Sequence, residues 1–209
     1  MADLSTLTAA IERGDRVTAT STTRAAIDDG VELGAILGAM TSAMETVGGR
    51  FQRNEIYVPE MLISARAMKE SMALLEPLLV GAGIRPEHTA VIGTIKGDLH
   101  DIGKNLVAMM WKGANIEVVD LGTNVSADAF VRAAREHAAD IIGVSALLTT
   151  TMVGMKDVVD AARAAGLDGT KIVIGGAPVT QSFADRIGAD GYAPDAGSAV
   201  EAAKRLLRG

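Results

Sequence analysis

The chain of 209 residues contains no cysteine, which excludes disulfides, thiolate metal ligation and cysteine nucleophiles. Aromatic residues make up only 3%, so a core must be built from Ala, Val, Ile, Leu and Met, the last able to fill irregular gaps. Basic charge is not in excess. The formal net charge is -6 with both signs interspersed, whereas a nucleic-acid surface needs a clustered basic face and a membrane anchor needs a polybasic stretch. No uninterrupted apolar run is long enough to span a bilayer, and Met1-Ala2-Asp3-Leu4 lacks the basic and apolar regions of a secretory leader. A cytoplasmic protein is the expectation, with proteins and small molecules as partners and neither nucleic acid nor membrane. What is abundant is apolar content, at 48%, ample for the core of one large domain or two small ones.

The chain divides by periodicity. From residue 4 to about residue 80 the apolar positions recur at helical spacing, as in Leu33, Leu37, Met40, Met44, Val47 and Phe51, and again in Met61, Ala65, Met68, Met72 and Leu75. Pro59 and Glu60 suit the first turn of the later helix, where a missing N–H costs nothing and negative charge meets the dipole. Shorter helices are expected over 4 to 13 and 16 to 29, each ending near a glycine. Four helices with short connections predict an antiparallel bundle over residues 1–82. After the turn-rich 81–86, short β-branched runs at 89–94, 116–120, 141–144 and 171–174, with a weaker one near Gly191-Tyr192, alternate with helical segments at 102–113, 126–138, 152–165, 180–187 and 196–207. Such alternation predicts a doubly wound parallel-sheet α/β domain over 87–209, of the flavodoxin or Rossmann-like kind.

The chemistry concentrates where the first predicted strand gives way to a helix, in Gly97-Asp98-Leu99-His100-Asp101-Ile102-Gly103-Lys104-Asn105. An imidazole beside a carboxylate can ligate a metal through one nitrogen while the other donates to the acid, which fixes tautomer and orientation. Asp98 is the candidate acceptor. The glycines at 97 and 103 let the histidine project from the sheet edge. Each part also has a plain structural reading. A lone loop histidine serves as well to cap the following helix, Gly175-Gly176 is an ordinary turn, Lys104 is a solvated first-turn lysine, and the Met-rich stripes are bundle core. His88 reads as a solvated linker residue and His137 as an exposed helix end. The order of the parts carries more than the parts do: the histidine loop, then Ser145-Ala146-Leu147, then Gly175-Gly176, each at the carboxyl end of a predicted strand. In open α/β sheets ligands bind at those ends, so three loops converge on one crevice.

This frame, Asp-x-His-xx-Gly, Ser-x-Leu and Gly-Gly, closely resembles the cobalamin-binding signature of corrinoid proteins and methionine synthase. The resemblance implies a base-off cobalamin with His100 as the lower axial ligand of cobalt, and a relay through Asp98 to a hydroxyl residue, here Thr151 where the family has Ser. It also implies that Gly97, Asp101, Ile102, Gly103 and Leu147 contact the cofactor, that Ser145 and Thr149 meet the corrin or its nucleotide tail, that Gly175 and Gly176 make room for the tail, and that Ala196 touches it. Residues 51–62 and the helix after them are similar to the helical cap that shields the upper face in the family. Tyr57 is its capping aromatic and Met61 a further contact, with a core role for Met61 and Leu62 equally open. The resemblance covers nearly the whole chain.

The layout is similar to the small corrinoid subunits of methylamine, methanol, glycine-betaine and aryl-methyl-ether methyltransfer systems. It implies a non-catalytic carrier in which a Co(I) corrinoid takes a methyl group from a substrate-specific methyltransferase. Methylcobalamin then hands it to a second methyltransferase acting on tetrahydrofolate or a thiol, and a reductive activation protein is a further partner. The competing reading is a cobalamin-dependent sensor or regulator, for which a DNA-binding domain before residue 4 would be expected. A mutase subunit using adenosylcobalamin would bring a barrel, and a flavodoxin-like domain binding no corrin would leave the frame unexplained.

Overall fold

The computed structural model describes Asp3–Arg208, which form two compact units: one runs to Pro86 and takes in Gly113–Asn115, the other holds Glu87–Lys112 and Ile116 onward. In the first unit each early helix starts on an acidic side chain that accepts from the otherwise unbonded first-turn N–H groups. Asp3 caps α1 (Leu4–Glu12), Asp15 caps α2 (Arg16–Asp28), and Glu32 caps α3 (Leu33–Gln52) through bonds of 2.8 and 2.6 Å to Gly34 and Ala35. Helix α4 (Val58–Gly81) carries Pro59 in its first turn, and Glu60 accepts from the Tyr57 N–H at 3.1 Å. Helix α1 packs on α2 and α3, and α4 on the same two. Leu7, Ile11, Ile36, Met40, Met61 and Leu75 are fully buried along their inner faces, each contributing about 1.5–3 kcal/mol of apolar transfer.

In the second unit β1 (His88–Thr94), β2 (Ile116–Asp120), β3 (Ile141–Ser145), β4 (Lys171–Gly175) and β5 (Gly191–Ala193) form one parallel sheet in the order β2-β1-β3-β4-β5. The connecting helices are α5 (Ile102–Gly113), α6 (Ala127–Glu136), a short α7 (Thr149–Met152), α8 (Met155–Ala164), α9 (Gln181–Ile187) and α10 (Ala196–Leu207). Buried β-branched strands predict helices on both faces, and glycines mark where bulky rings dock. Trp111 of α5 lies against Gly143 and donates at 3.0 Å to the Ala199 carbonyl of α10, while Phe130 of α6 lies against Gly93 on the other face.

The strands fall within a residue or two of the sequence expectation. Ser126 and Thr180, expected inside helices, are the capping residues just outside α6 and α9. The helix expected over 152–165 is instead two helices broken at Gly154, so Thr149 and Thr151 sit in a helical turn of their own. His88 opens β1 rather than floating in a linker, whereas His137 ends α6 in an exposed position as expected. The register fixes what matters for the site: Thr94 pairs with Ser145, Ser145 with Gly175, and Gly175 with Ala193, so four strands end on one row. The order reverses between β1 and β3, the switch point at which such sheets bind ligands.

Candidate cofactor site

At that switch point the Asp98 carboxylate, fully buried, gathers five hydrogen bonds from the loops after β1 and β3. Its Oδ1 accepts from the His100 backbone N–H at 3.0 Å and faces the His100 Nδ1 at 2.7 Å. Its Oδ2 accepts from Leu147 N at 2.8 Å, Leu148 N at 3.3 Å and the Thr151 hydroxyl at 2.8 Å. Burial pushes the Asp98 carboxyl up, but the bonds from Leu147, from the His100 backbone and ring, and from Thr151 outweigh it and hold the group far below the usual carboxylate range. An ionised carboxylate only accepts, so the proton it faces sits on Nδ1 and the lone pair of the ring on Nε2.

The ring is thereby aimed for ligation, with Nε2 left as the donor atom. The Thr94 hydroxyl donates to the His100 carbonyl at 2.9 Å, so backbone and ring are both held. Gly97 makes the turn at φ +86°, a region that penalises any residue with a Cβ. Asp98 is buried, yet the His100 side chain is 53% exposed. Around it the same two loops expose Leu99, Ile102, Leu147, Leu148 and Val153, the first two more than 70%. So much apolar surface on adjacent loops marks a binding face. Among the described residues no cluster of three or more His, Cys, Asp or Glu could enclose a bare ion. One outward imidazole in an apolar setting suits a metal that arrives with its own equatorial ligands, as in a flat apolar-edged macrocycle. The residues present fit a corrinoid.

The structure brings together Gly97, Asp98, His100, Asp101, Ile102, Gly103, Ser145, Leu147, Thr149 and Thr151. Asp101 accepts from Asn105 to start α5, Gly103 faces open space, Thr149 is exposed, and Ser145 closes β3 with its carbonyl bonded to Ile95 N at 2.9 Å. Gly175 and Gly176 lie on the same row for a reason internal to the protein. A Cβ at Gly176 would come within 1.8 Å of the Ala146 carbonyl oxygen, and one at Gly175 within 2.7 Å of that of Ala193. The backbone by itself demands glycine at both positions, in addition to the room for a tail that the resemblance implies. Ala196 opens α10 and is buried, Met61 is buried in α4, and Tyr57, just before α4, is 67% exposed.

Lys104 differs from expectation outright. It is 2% exposed, and its ammonium donates at 2.6 Å to Asp120 Oδ1, with bonds also to Asp120 Oδ2 and to Asn105. A solvated lysine was expected because one turn of helix hides which face meets β2. Sequence reading also missed Asn124, whose backbone donates to the Asp98 carbonyl at 3.0 Å and whose side chain accepts from Gly97 N at 2.8 Å. Its one signal was the pairing of β2 beside β1.

Comparisons with known proteins identify the family. A B12 binding domain family model matches residues 88–202, and a second B12 binding domain model matches residues 4–76. A corrinoid protein of Desulfitobacterium hafniense (strain Y51) is 39% identical over 212 residues, covering 99% of this chain and 98% of its own. A dimethylamine corrinoid protein of Methanosarcina barkeri is 44% identical over 170 residues, 80% of each. Among solved structures, a cobalamin-binding protein from Desulfitobacterium hafniense DCB-2 superposes with TM-score 0.82 at 28% identity over 99% of both chains. The methanol:cobalamin methyltransferase complex of Methanosarcina barkeri does so with TM-score 0.87 at 28% identity, over 99% of this chain and 80% of that one. The chain therefore belongs to the corrinoid proteins with B12 binding domains, and a corrinoid is its cofactor.

Proposed function

We propose that the protein is a methyl carrier of a corrinoid methyltransferase system, holding cobalamin base-off with His100 as the lower axial ligand. The observation that carries this reading is the buried, ionised Asp98 behind an exposed imidazole, which makes Nε2 an electron-rich donor on an apolar platform. The bound corrinoid supplies the centre that accepts and releases the methyl group. The chain's own residues do the rest: Thr151 and the Leu147 and Leu148 amides hold Asp98, Asp98 orients His100, and Leu99, Ile102 and Leu147 exclude water from beneath the ring system. Ser145 and Thr149 line the path of the nucleotide tail. Residues 1–82 form the helical module, with Tyr57 exposed just before α4, and residues 87–209 bear the cofactor.

The relatives support the carrier role, since they are corrinoid proteins of dimethylamine and methanol systems by name. A substrate-specific methyltransferase is the donor partner, a folate or thiol methyltransferase the acceptor, and a reductive activation protein the third. The test is reconstitution of wild type and His100→Ala with cobalamin, followed by absorbance. A base-off, histidine-coordinated spectrum in the wild type alone is expected, and matching spectra would overturn the ligand assignment. Transfer of the cobalt-bound methyl to a folate or thiol methyltransferase tests the carrier role, which fails if no such acceptor is methylated.

A further inference from the structure

On the β2 side of β1, away from Ser145 and Gly175, the loop after β2 and helix α6 line a separate, open cleft of about 460 Å³. That size lies within the roughly 300–1,000 Å³ range of small-molecule sites. Ala129 and Ala133 of α6 line it, and larger side chains there would fill the space. Lys96, two residues past β1, and Arg132, from α6, both line the cleft, and neither has an ion-pair or hydrogen-bond partner among the described residues. Glu136, one turn after Arg132, is also on the wall and is likewise unpaired, which leaves the fixed lining charge positive by one. Ser126 caps the start of α6 at the same place, and Asp128 of that first turn is not on the wall.

We infer that this cleft is a second ligand site, for a small molecule bearing a carboxylate or phosphate gripped between Lys96 and Arg132. Unpaired Lys and Arg on one concave wall supply a point charge and a planar fork, the two elements that recognise an oxyanion. The site is also wired to the histidine loop. Asn124 stands on its rim and makes the two bonds to Gly97 and Asp98 described above, so an occupant that moves Asn124 moves the turn that positions His100.

The full chain, titrated with inorganic phosphate and with succinate and followed by calorimetry and amide NMR, tests the assignment. Sodium chloride at matched ionic strength is the control. Saturable binding of either probe is expected, with amide shifts at Lys96, Asn124 and Arg132, and loss of roughly tenfold or more in affinity in Lys96→Ala/Arg132→Ala. Both side chains are exposed and unpaired, so the double variant should keep the wild-type circular dichroism. Absence of saturable binding by both probes, shifts reproduced by chloride, or undiminished affinity in the double variant would each overturn the site. Corrinoid binding enters none of these readouts.

Discussion

His100 Nδ1 stands 2.7 Å from Asp98 Oδ1, the acid side chain fully buried and the ring 53% exposed. The pair is therefore asymmetric: the protein holds one end of the relay and presents the other. Asp98→Asn keeps the shape but removes the charge that sets the tautomer. Cobalamin affinity measured by absorbance titration should fall about 10–100-fold, the usual cost of losing an outer partner of a ligating histidine. Affinity unchanged within error would mean that the carboxylate does not tune the ligand.

Thr151 reaches Asp98 from the neighbouring loop at 2.8 Å. Thr151→Val replaces a donor to a buried charge with a methyl group and should cost about 1.5–3 kcal/mol in urea unfolding. Thr151→Ser keeps the hydroxyl and should remain within about 1 kcal/mol of wild type. Equal losses in both variants would assign the effect to packing instead.

Asp98 also sets a pH dependence. Its carboxyl titrates lower in the folded protein than the ordinary 3.8, so the unfolded chain binds the proton first as pH falls. The stabilisation is complete above that ordinary value and is lost progressively below it. The gap in unfolding free energy between wild type and Asp98→Asn should accordingly be widest near about pH 6 and shrink towards about pH 3. A gap that is flat across this range would contradict the depressed carboxyl.

Much of this was legible in the residues. The alternation of β-branched runs and helical segments gave the sheet, and the order of the histidine loop, Ser145 and Gly175 gave the crevice, because parallel register aligns strand ends whatever the loops contain. What was hidden depends on third dimensions that periodicity does not encode. Lys104 has the sequence surroundings of a surface lysine, and only the placement of β2 beside β1 brings Asp120 to it. The apolar platform of Leu99, Ile102, Leu148 and Val153 is scattered over two loops and shows no period. Gly176 is a turn glycine by pattern, and the carbonyl it must clear belongs to a residue far away in the chain.

The Lys104–Asp120 pair should respond unequally to the removal of either partner, because Lys104 is 2% exposed and Asp120 37% exposed. Asp120→Ala leaves a buried ammonium without its counter-charge, held only by the Asn105 amide oxygen, and should cost about 3–5 kcal/mol. Lys104→Met removes the buried charge, fills the same channel and leaves a carboxylate that water can reach, so about 1–3 kcal/mol is expected. The order of the two midpoints in urea checks this, and a more damaging Lys104→Met would show that Asp120 is the residue that cannot stand alone.

Gly176→Ala isolates the backbone requirement at the end of β4. The position has φ +132°, and the new Cβ would be placed 1.8 Å from the Ala146 carbonyl oxygen. Relief demands that the strand ends of β3 and β4 part, breaking the Ala146 N–H bond to the Gly175 carbonyl at 3.2 Å and disturbing the amides of Leu147 and Leu148 that hold Asp98. Strain at such a backbone position costs of order 1–3 kcal/mol before the clash is counted, and the total should exceed about 3 kcal/mol or abolish soluble protein. Gly103→Ala is the matched control, since nothing lies within 4 Å of its Cβ position. Its unfolding midpoint should stay near that of the wild type, and a comparable loss there would show that the damage at Gly176 is not specific to the carbonyl contact.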